Sequence, residues 1–171
     1  AIGAIFNDGN GNNAGHVRIY ENIGGSWSQI GNDIDGEAAD DRSGWAVSLS
    51  SDGYTVAISA RYSGVNQSAI GHVRVYNYNG TSWNQIGDDI DGEAAGDQSG
   101  QAISISSDGN TLAIGAHFNS GNGGSSGHVR IYNWNGASWN QIGNDIDGEA
   151  AGDESGVSVS LNSNGNTVAI G

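Results

Sequence analysis

Large and small residues alternate along Gly44 to Ser50 (GWAVSLS) and again along Thr55 to Ala60 (TVAISA), the period of two that marks a β-strand. Val47 and Leu49 fall on one face, Ala46 and Ser48 on the other. Between the two runs, Ser51-Asp52-Gly53-Tyr54 holds the Asp-Gly pair of a tight turn, so the pattern predicts a hairpin. His72 to Tyr78 (HVRVYNY) alternates again, Asn79-Gly80 predicts a second turn, and Ser82 to Ile86 (SWNQI) predicts a fourth strand. Together these elements predict a four-stranded antiparallel meander. Its first two strands carry apolar or small residues on both faces, which predicts cover on both sides, and sheets stacked face to face supply it.

The pattern recurs. Gly-His-Val-Arg-(Ile/Val)-Tyr begins at Gly15, Gly71 and Gly127, a step of 56 residues, and Ala1-Ile2-Gly3 returns as Ala57-Ile58-Ser59, Ala113-Ile114-Gly115 and Ala169-Ile170-Gly171. Laying residues 71 to 115 over 127 to 171 gives 33 identities in 45 positions, and most changes are mild, such as Val75 to Ile131. A fixed period of this kind predicts repeated supersecondary units. The boundaries follow: 1–43 a partial unit with strands two to four, 44–99 and 100–155 whole units, and 156–171 a partial unit with strands one and two. Four-stranded units stacked radially are propeller blades, and closed rings take about 4 to 8 of them. The expectation is an all-β, β-propeller-like set of blades belonging to a larger ring or to a continuous filament, with strand edges that pair with further copies of the repeat.

The run Gly92-Glu93-Ala94-Ala95-Gly96-Asp97-Gln98-Ser99-Gly100, then a strand, then Ser107-Asp108-Gly109-Asn110-Thr111-Leu112-Ala113-Ile114-Gly115-Ala116, resembles the FG-GAP repeats of integrin-α-like β-propellers, in particular their bacterial-type variant. The resemblance extends over essentially the whole chain. It departs where the Phe of the family's Phe-Gly is replaced by Ser-Gly at 43 to 44, 99 to 100 and 155 to 156, and where the family's Pro is missing. The short Ser-Asp-Gly turn also lacks the long acidic calcium loop that integrin blades carry between their first two strands. The resemblance implies the blade fold, a secreted or cell-surface setting and a role in adhesion; it does not bring the family's calcium position with it.

Charge narrows the partners. The 171 residues hold 19 acids against 5 Arg and no Lys, for a net charge of -14, and such a surface repels nucleic-acid phosphates and anionic lipid headgroups. No apolar run approaches the ~20 residues of a membrane-spanning helix. Leu, Ile, Val and Phe make up 32 residues, a share low enough to read as disorder beside that charge if the repeat were ignored. The chain has no Cys, so neither disulfides nor thiolate metal sites arise.

Fifteen of the nineteen acids fall in three loops, and each loop spells Asp-x-Asp-x-Glu-x-x-x-Asp. The candidate metal ligands are therefore Asp33, Asp35, Glu37 and Asp41; Asp89, Asp91, Glu93 and Asp97; and Asp145, Asp147, Glu149 and Asp153. Carboxylates at positions 1, 3, 5 and 9 suit the oxygen chemistry of calcium, although Gly sits at position 4 rather than 6 and no bidentate Glu closes the loop at position 12. The competing reading is a solvated acidic turn in which Asp97 caps the following Ser-Gly backbone. His72, Arg74 and Tyr76 share one face of their strand, and the identical recurrence of this trio favours a role between units, with Arg pairing the acidic loops. Trp27, Trp83 and Trp139 could stack on sugars, but a Trp repeated at one position favours packing between units.

No Ser-His-Asp, phosphate-loop or Cys-His arrangement stands apart from the repeat, so no catalytic residues are expected. Two glycosylation sequons, at Asn66 and Asn79, are about what the composition gives by chance. The sequence thus points to a non-catalytic extracellular or surface scaffold for adhesion or assembly, with a carbohydrate-binding module as the alternative. Expected partners are further copies of the repeat and a surface protein or glycan, with no nucleic acid and no membrane insertion.

Overall fold

The structure is a computed structural model and describes residues 1–64 and 68–171, so the sequon at Asn66 lies outside the described residues. Seventeen strands and no helix are formed among them. Strands β1 (Ile2–Ala4), β2 (His16–Arg18) and β5 (Ile34–Asp35) make a three-stranded sheet, beside which β3 (Tyr20–Ile23) and β4 (Ser26–Gln29) form a hairpin. The second sheet contains β6 (Val47–Leu49), β7 (Thr55–Ala60), β8 (His72–Tyr78), β9 (Trp83–Gln85) and β10 (Ile90–Asp91). The third holds β11 (Ala102–Ile105), β12 (Thr111–Ala116), β13 (His128–Trp134), β14 (Trp139–Gln141) and β15 (Ile146–Asp147). A last pair joins β16 (Val159–Leu161) to β17 (Val168–Ile170).

Every pairing between these strands is antiparallel, and β6 to β9 pair in chain order, as do β11 to β14. Val56 faces Tyr76 and Leu112 faces Tyr132, so the second and third sheets share one register. The pairing of β6 with β7 is set by the turn between them. Thr55 N–H donates to Ser50 Oγ at 2.9 Å, Ser50 Oγ lies 2.6 Å from Asp52 Oδ1, and that carboxylate accepts Tyr54 N–H. Gly53, at φ 76°, takes the left-handed position that a side chain resists.

Two strands differ from the sequence expectation. The first strand is ordered only from Val47, because Gly44 and Trp45 both donate to Ser59 O, at 3.0 and 3.1 Å, and so bulge the ladder. The fourth is broken in two: β9 and β10 both lie on the same edge of β8. Ile86 N–H bonds Val75 O and Ile90 stands opposite Val73, which leaves Gly87, Asp88 and Asp89 opposite Arg74 alone. This bulge turns acidic side chains toward β8.

Three hydrophobic clusters lie where successive sheets meet. Val17, Ile19 and Ile34 pack with Val56, Ile58 and Tyr76, joined by Val47, Leu49 and Trp83. Ala57, Val73, Val75 and Ile90 pack with Ile103, Ile105, Leu112, Ile114 and Tyr132. Ala113, Val129 and Ile131 pack with Val159, Leu161, Val168 and Ile170. The second and third sheets thus each turn one face to the preceding sheet and the other to the next, and each fully buried aliphatic side chain contributes roughly 1.5–3 kcal/mol.

Candidate functional site

The polar groups of the acidic loops gather along the seams between sheets. Arg74, on β8, donates through Nη2 to the carbonyl of Asp35 at 2.9 Å and places Nη1 3.4 Å from Glu37 Oε1. Arg130, on β13, repeats this toward Asp91 O at 3.2 Å and Glu93 Oε1 at 3.6 Å. Both guanidiniums come from a buried strand position and reach back to the preceding unit. Alternation puts His72 and Tyr76 on the same face, and the ring of Tyr76 lies 5.6 Å from the Arg74 guanidinium carbon. Burial pushes the Tyr76 and Tyr132 phenols up.

The histidines sit between two carboxylates of different origin. His72 Nδ1 is 3.9 Å from Asp89 Oδ2, delivered by the bulge, and His128 Nδ1 is 3.6 Å from Asp145 Oδ2 and 4.0 Å from Glu93 Oε2. One ligand atom each from Glu37, His72 and Asp89 lie within 4.8 Å of one another, and the same holds for Glu93, His128 and Asp145. In the first unit, His16 Nδ1 lies 3.4 Å from Asp33, whose carboxylate is also gripped by Arg18 Nε and Nη2. Hydrogen bonds from Arg18 and Gln29 hold the Asp33 carboxyl below its usual range.

The predicted ligand sets are therefore divided among several roles. Glu37 and Asp89 meet at His72, while Glu93 and Asp145 meet at His128. Asp41, Asp97 and Asp153 turn away into their own loops, accepting the amides of Ala38 at 2.9 Å, Ala94 at 3.2 Å and Ala150 at 2.8 Å. Asp97 also accepts from Asn119 Nδ2 at 2.9 Å. The capping direction expected for Asp97 is corrected: it caps the amide three residues before it, not the Ser-Gly that follows. Asp35 and Asp91 serve through their carbonyls, and Asp147 and Glu149 are exposed.

The tryptophans are committed as well. Trp83 Nε1–H donates to Ile30 O at 3.0 Å and Trp139 Nε1–H to Ile86 O at 3.1 Å, each reaching into the preceding unit, while Trp27 is exposed. Sequence reasoning overlooked a further group, Arg42, Trp45, Arg61, Tyr62 and Gln101, which assembles beside the loops that enter β6 and leave β7. Its signal is departure from the repeat, a comparison that a search for shared motifs passes over.

Burial, and then the neighbouring Arg130, lower the pKa of His128 despite Asp145 and Glu93. Burial, and then Arg61, lower that of His117. Between each lowered value and the ~6.5 of an unfolded histidine, the unfolded chain binds more protons, so stability rises with pH through that window. Lowering pH from about 7.5 to 5.5 is expected to reduce the melting temperature, and His128→Gln to flatten the dependence; a variant as pH-sensitive as the parent removes His128 as its source.

The chain matches no model of a known protein family and no curated protein.

Proposed function

We propose that this chain is a non-catalytic repeat scaffold for adhesion or extracellular assembly, built from FG-GAP-like, four-stranded blades of a ring or a continuous array. The observation that carries this reading is the repetition of one junction. Arg74 to Asp35 O recurs as Arg130 to Asp91 O, and Trp83 to Ile30 O as Trp139 to Ile86 O. Ser48 Oγ accepts Ile105 N–H as Ser104 Oγ accepts Leu161 N–H, and Ser51 N–H bonds Ser107 O as Ser107 N–H bonds Ser163 O. A junction that repeats in register can be extended by any further copy, which is the property of a nearest-neighbour array. Arg74, His72 and Glu37, with their equivalents Arg130, His128 and Glu93, meet across the seam between units. The extracellular setting rests on the family resemblance and on the acidic, Lys-free composition.

Electron microscopy of the native material tests the proposal: rings of about six or more units or filaments are expected, and discrete compact particles of three units oppose it. Calcium belongs to the same proposal, with side-chain carboxylates of the acidic loops as its oxygen donors. Saturating calcium then stabilises the fold by RT ln(1 + [L]/Kd), about 2.7 kcal/mol at a hundredfold excess over Kd. Identical melting with calcium and with chelator ends that part. Zinc titrated in parallel reads the clusters at His72 and His128 instead, since imidazole nitrogen suits zinc better than calcium.

A further inference from the structure

A residue that the fold demands recurs in every unit, as His16, His72 and His128 do, so positions that change between units are free to serve something else. Residues 42, 98 and 154 are Arg, Gln and Glu; residues 45, 101 and 157 are Trp, Gln and Val; residues 5, 61 and 117 are Ile, Arg and His. The first and second of these sets converge on the third. The Arg42 guanidinium carbon lies 4.4 Å from the centre of the Tyr62 ring and 5.5 Å from that of Phe6. Arg61 stacks 3.4 Å from the centre of Trp45 and 4.7 Å from Tyr62, and Trp45 meets Tyr62 edge to face at 5.7 Å. Arg61 also donates to Tyr62 Oη at 2.8 Å and to Gln101 Oε1.

Among the described residues these two cations have no counter-ion. Arg18, Arg74 and Arg130 pair with Asp33, Glu37 and Glu93, whereas among the described residues no carboxylate lies within 4.0 Å of Arg42 or Arg61. Two of five arginines therefore stand together unpaired in a chain of net charge -14. They repel each other, and burial and Arg42 both act to lower the Arg61 pKa. Their hydrogen bonding is unfinished too: among the described residues, the buried Nε of Arg42, Nε of Arg61, Oε1 of Gln98 and Nδ1 of His117 have no partner. Gln98 adjoins Gln101 through a backbone bond at 3.2 Å, and His117 feels the charge of Arg61, so the orphaned atoms border one patch.

The ligand that completes this patch has oxyanions for two guanidinium forks, hydroxyls for its polar rim, and a C–H face to lie on Phe6, which is 63% exposed. A uronate-containing sugar chain carries all three. An acidic peptide offers carboxylates as well, but its higher charge density meets the negative field of the whole protein, whereas one carboxylate per disaccharide meets far less. We propose that Arg42 and Arg61, oriented by Trp45, Tyr62 and Gln101, form a binding site for a carboxylate-bearing acidic saccharide. Ring or filament, the scaffold would then present this site, which depends on neither assembly.

The repeat itself supplies the variants. Arg42→Gln and Trp45→Gln install the residues that the next unit carries at 98 and 101, so the fold accepts them. Calorimetric titration with a hyaluronan hexasaccharide, a neutral chitohexaose and a hexapeptide of alternating Asp and Gly separates the ligand classes. The hyaluronan fragment is expected to bind in low salt, about tenfold or more weaker in Arg42→Gln and weaker again with Arg61→His added, with Arg18→Gln unchanged. Chitohexaose is expected to bind at least about tenfold more weakly than hyaluronan. No uptake of hyaluronan by the parent protein, equal affinity in Arg42→Gln, or tighter binding of the peptide each overturns the assignment. Far-ultraviolet circular dichroism and melting of each variant establish that a loss of binding is not a loss of fold.

Discussion

Replacing Leu112 with Ala is expected to lower the free energy of unfolding by about 2–5 kcal/mol. Leu112 is fully buried in β12, faces Tyr132 across the ladder, and lies in the cluster that joins the second and third sheets. Its neighbours are Ile103, Ile105 and Ile114 on its own sheet and Val73 and Val75 on the preceding one. Strands held by paired backbone hydrogen bonds cannot close over the space left, so the loss is transfer plus cavity. The repeat again provides the control, because the equivalent positions hold Val56 and Val168. Leu112→Val is accordingly expected to cost only about 0.5–1.5 kcal/mol, by analogy with removal of one methyl from a buried Ile. Urea denaturation at constant m separates the two variants. Equal midpoints for the parent and Leu112→Ala would show that the seam between these sheets is not where stability resides.

The strands whose side chains alternate without interruption were legible. Thr55–Ala60 and His72–Tyr78 are as the pattern sets them, since two-sided burial and the Asp-Gly and Asn-Gly turns agree. The ends of the meander were not. Residues Gly87 to Asp89 interrupt the fourth strand without any change in apolar period, and the bulge exists because β10 resumes pairing at Ile90, a contact that local sequence does not announce. The same limit governed the site. Asp-x-Asp-x-Glu-x-x-x-Asp reads as one loop, yet strand alternation and the bulge send its members to different neighbours, so that Glu37 meets His72 and Glu93 meets His128 of the following unit. Spacing along the chain describes partners within a loop, and these partners lie across a seam. Arg pairing with the acidic loops could be read, because a trio repeated identically needs a partner that repeats too. The Arg42 and Arg61 patch needed the opposite operation, subtraction of the repeat.

The closest approach between sheets yields the second large effect. Gly115, on β12, is not at a left-handed φ; what excludes a side chain is the neighbouring backbone, because a Cβ built there would meet Gly156 O at 2.1 Å and Gly156 Cα at 3.1 Å. Gly3 stands in the same relation to Gly44 O, also at 2.1 Å. The second unit places Ser59 at this position, and there the side chain is used: Ser59 Oγ accepts Ala46 N–H at 2.9 Å, while its neighbour in the next unit is Gly100, which presents no Cβ of its own. A hydroxymethyl is therefore admitted at this position in the second unit, and a branched side chain adds a further carbon toward the facing backbone. Gly115→Val is expected to destabilise by about 1–3 kcal/mol despite the better strand propensity of Val, because β16 must move away and the Val159 and Val168 contacts with Ala113 and Val129 open with it. Gly115→Ser, the substitution the chain already makes at 59, is expected to cost less. Hydrogen exchange localises the effect: amides of β16 and β17 should lose protection in Gly115→Val while those of β7 and β8 keep theirs, as neighbour-only coupling requires. Uniform loss across all four sheets would instead mean that the sheets unfold as one cooperative block.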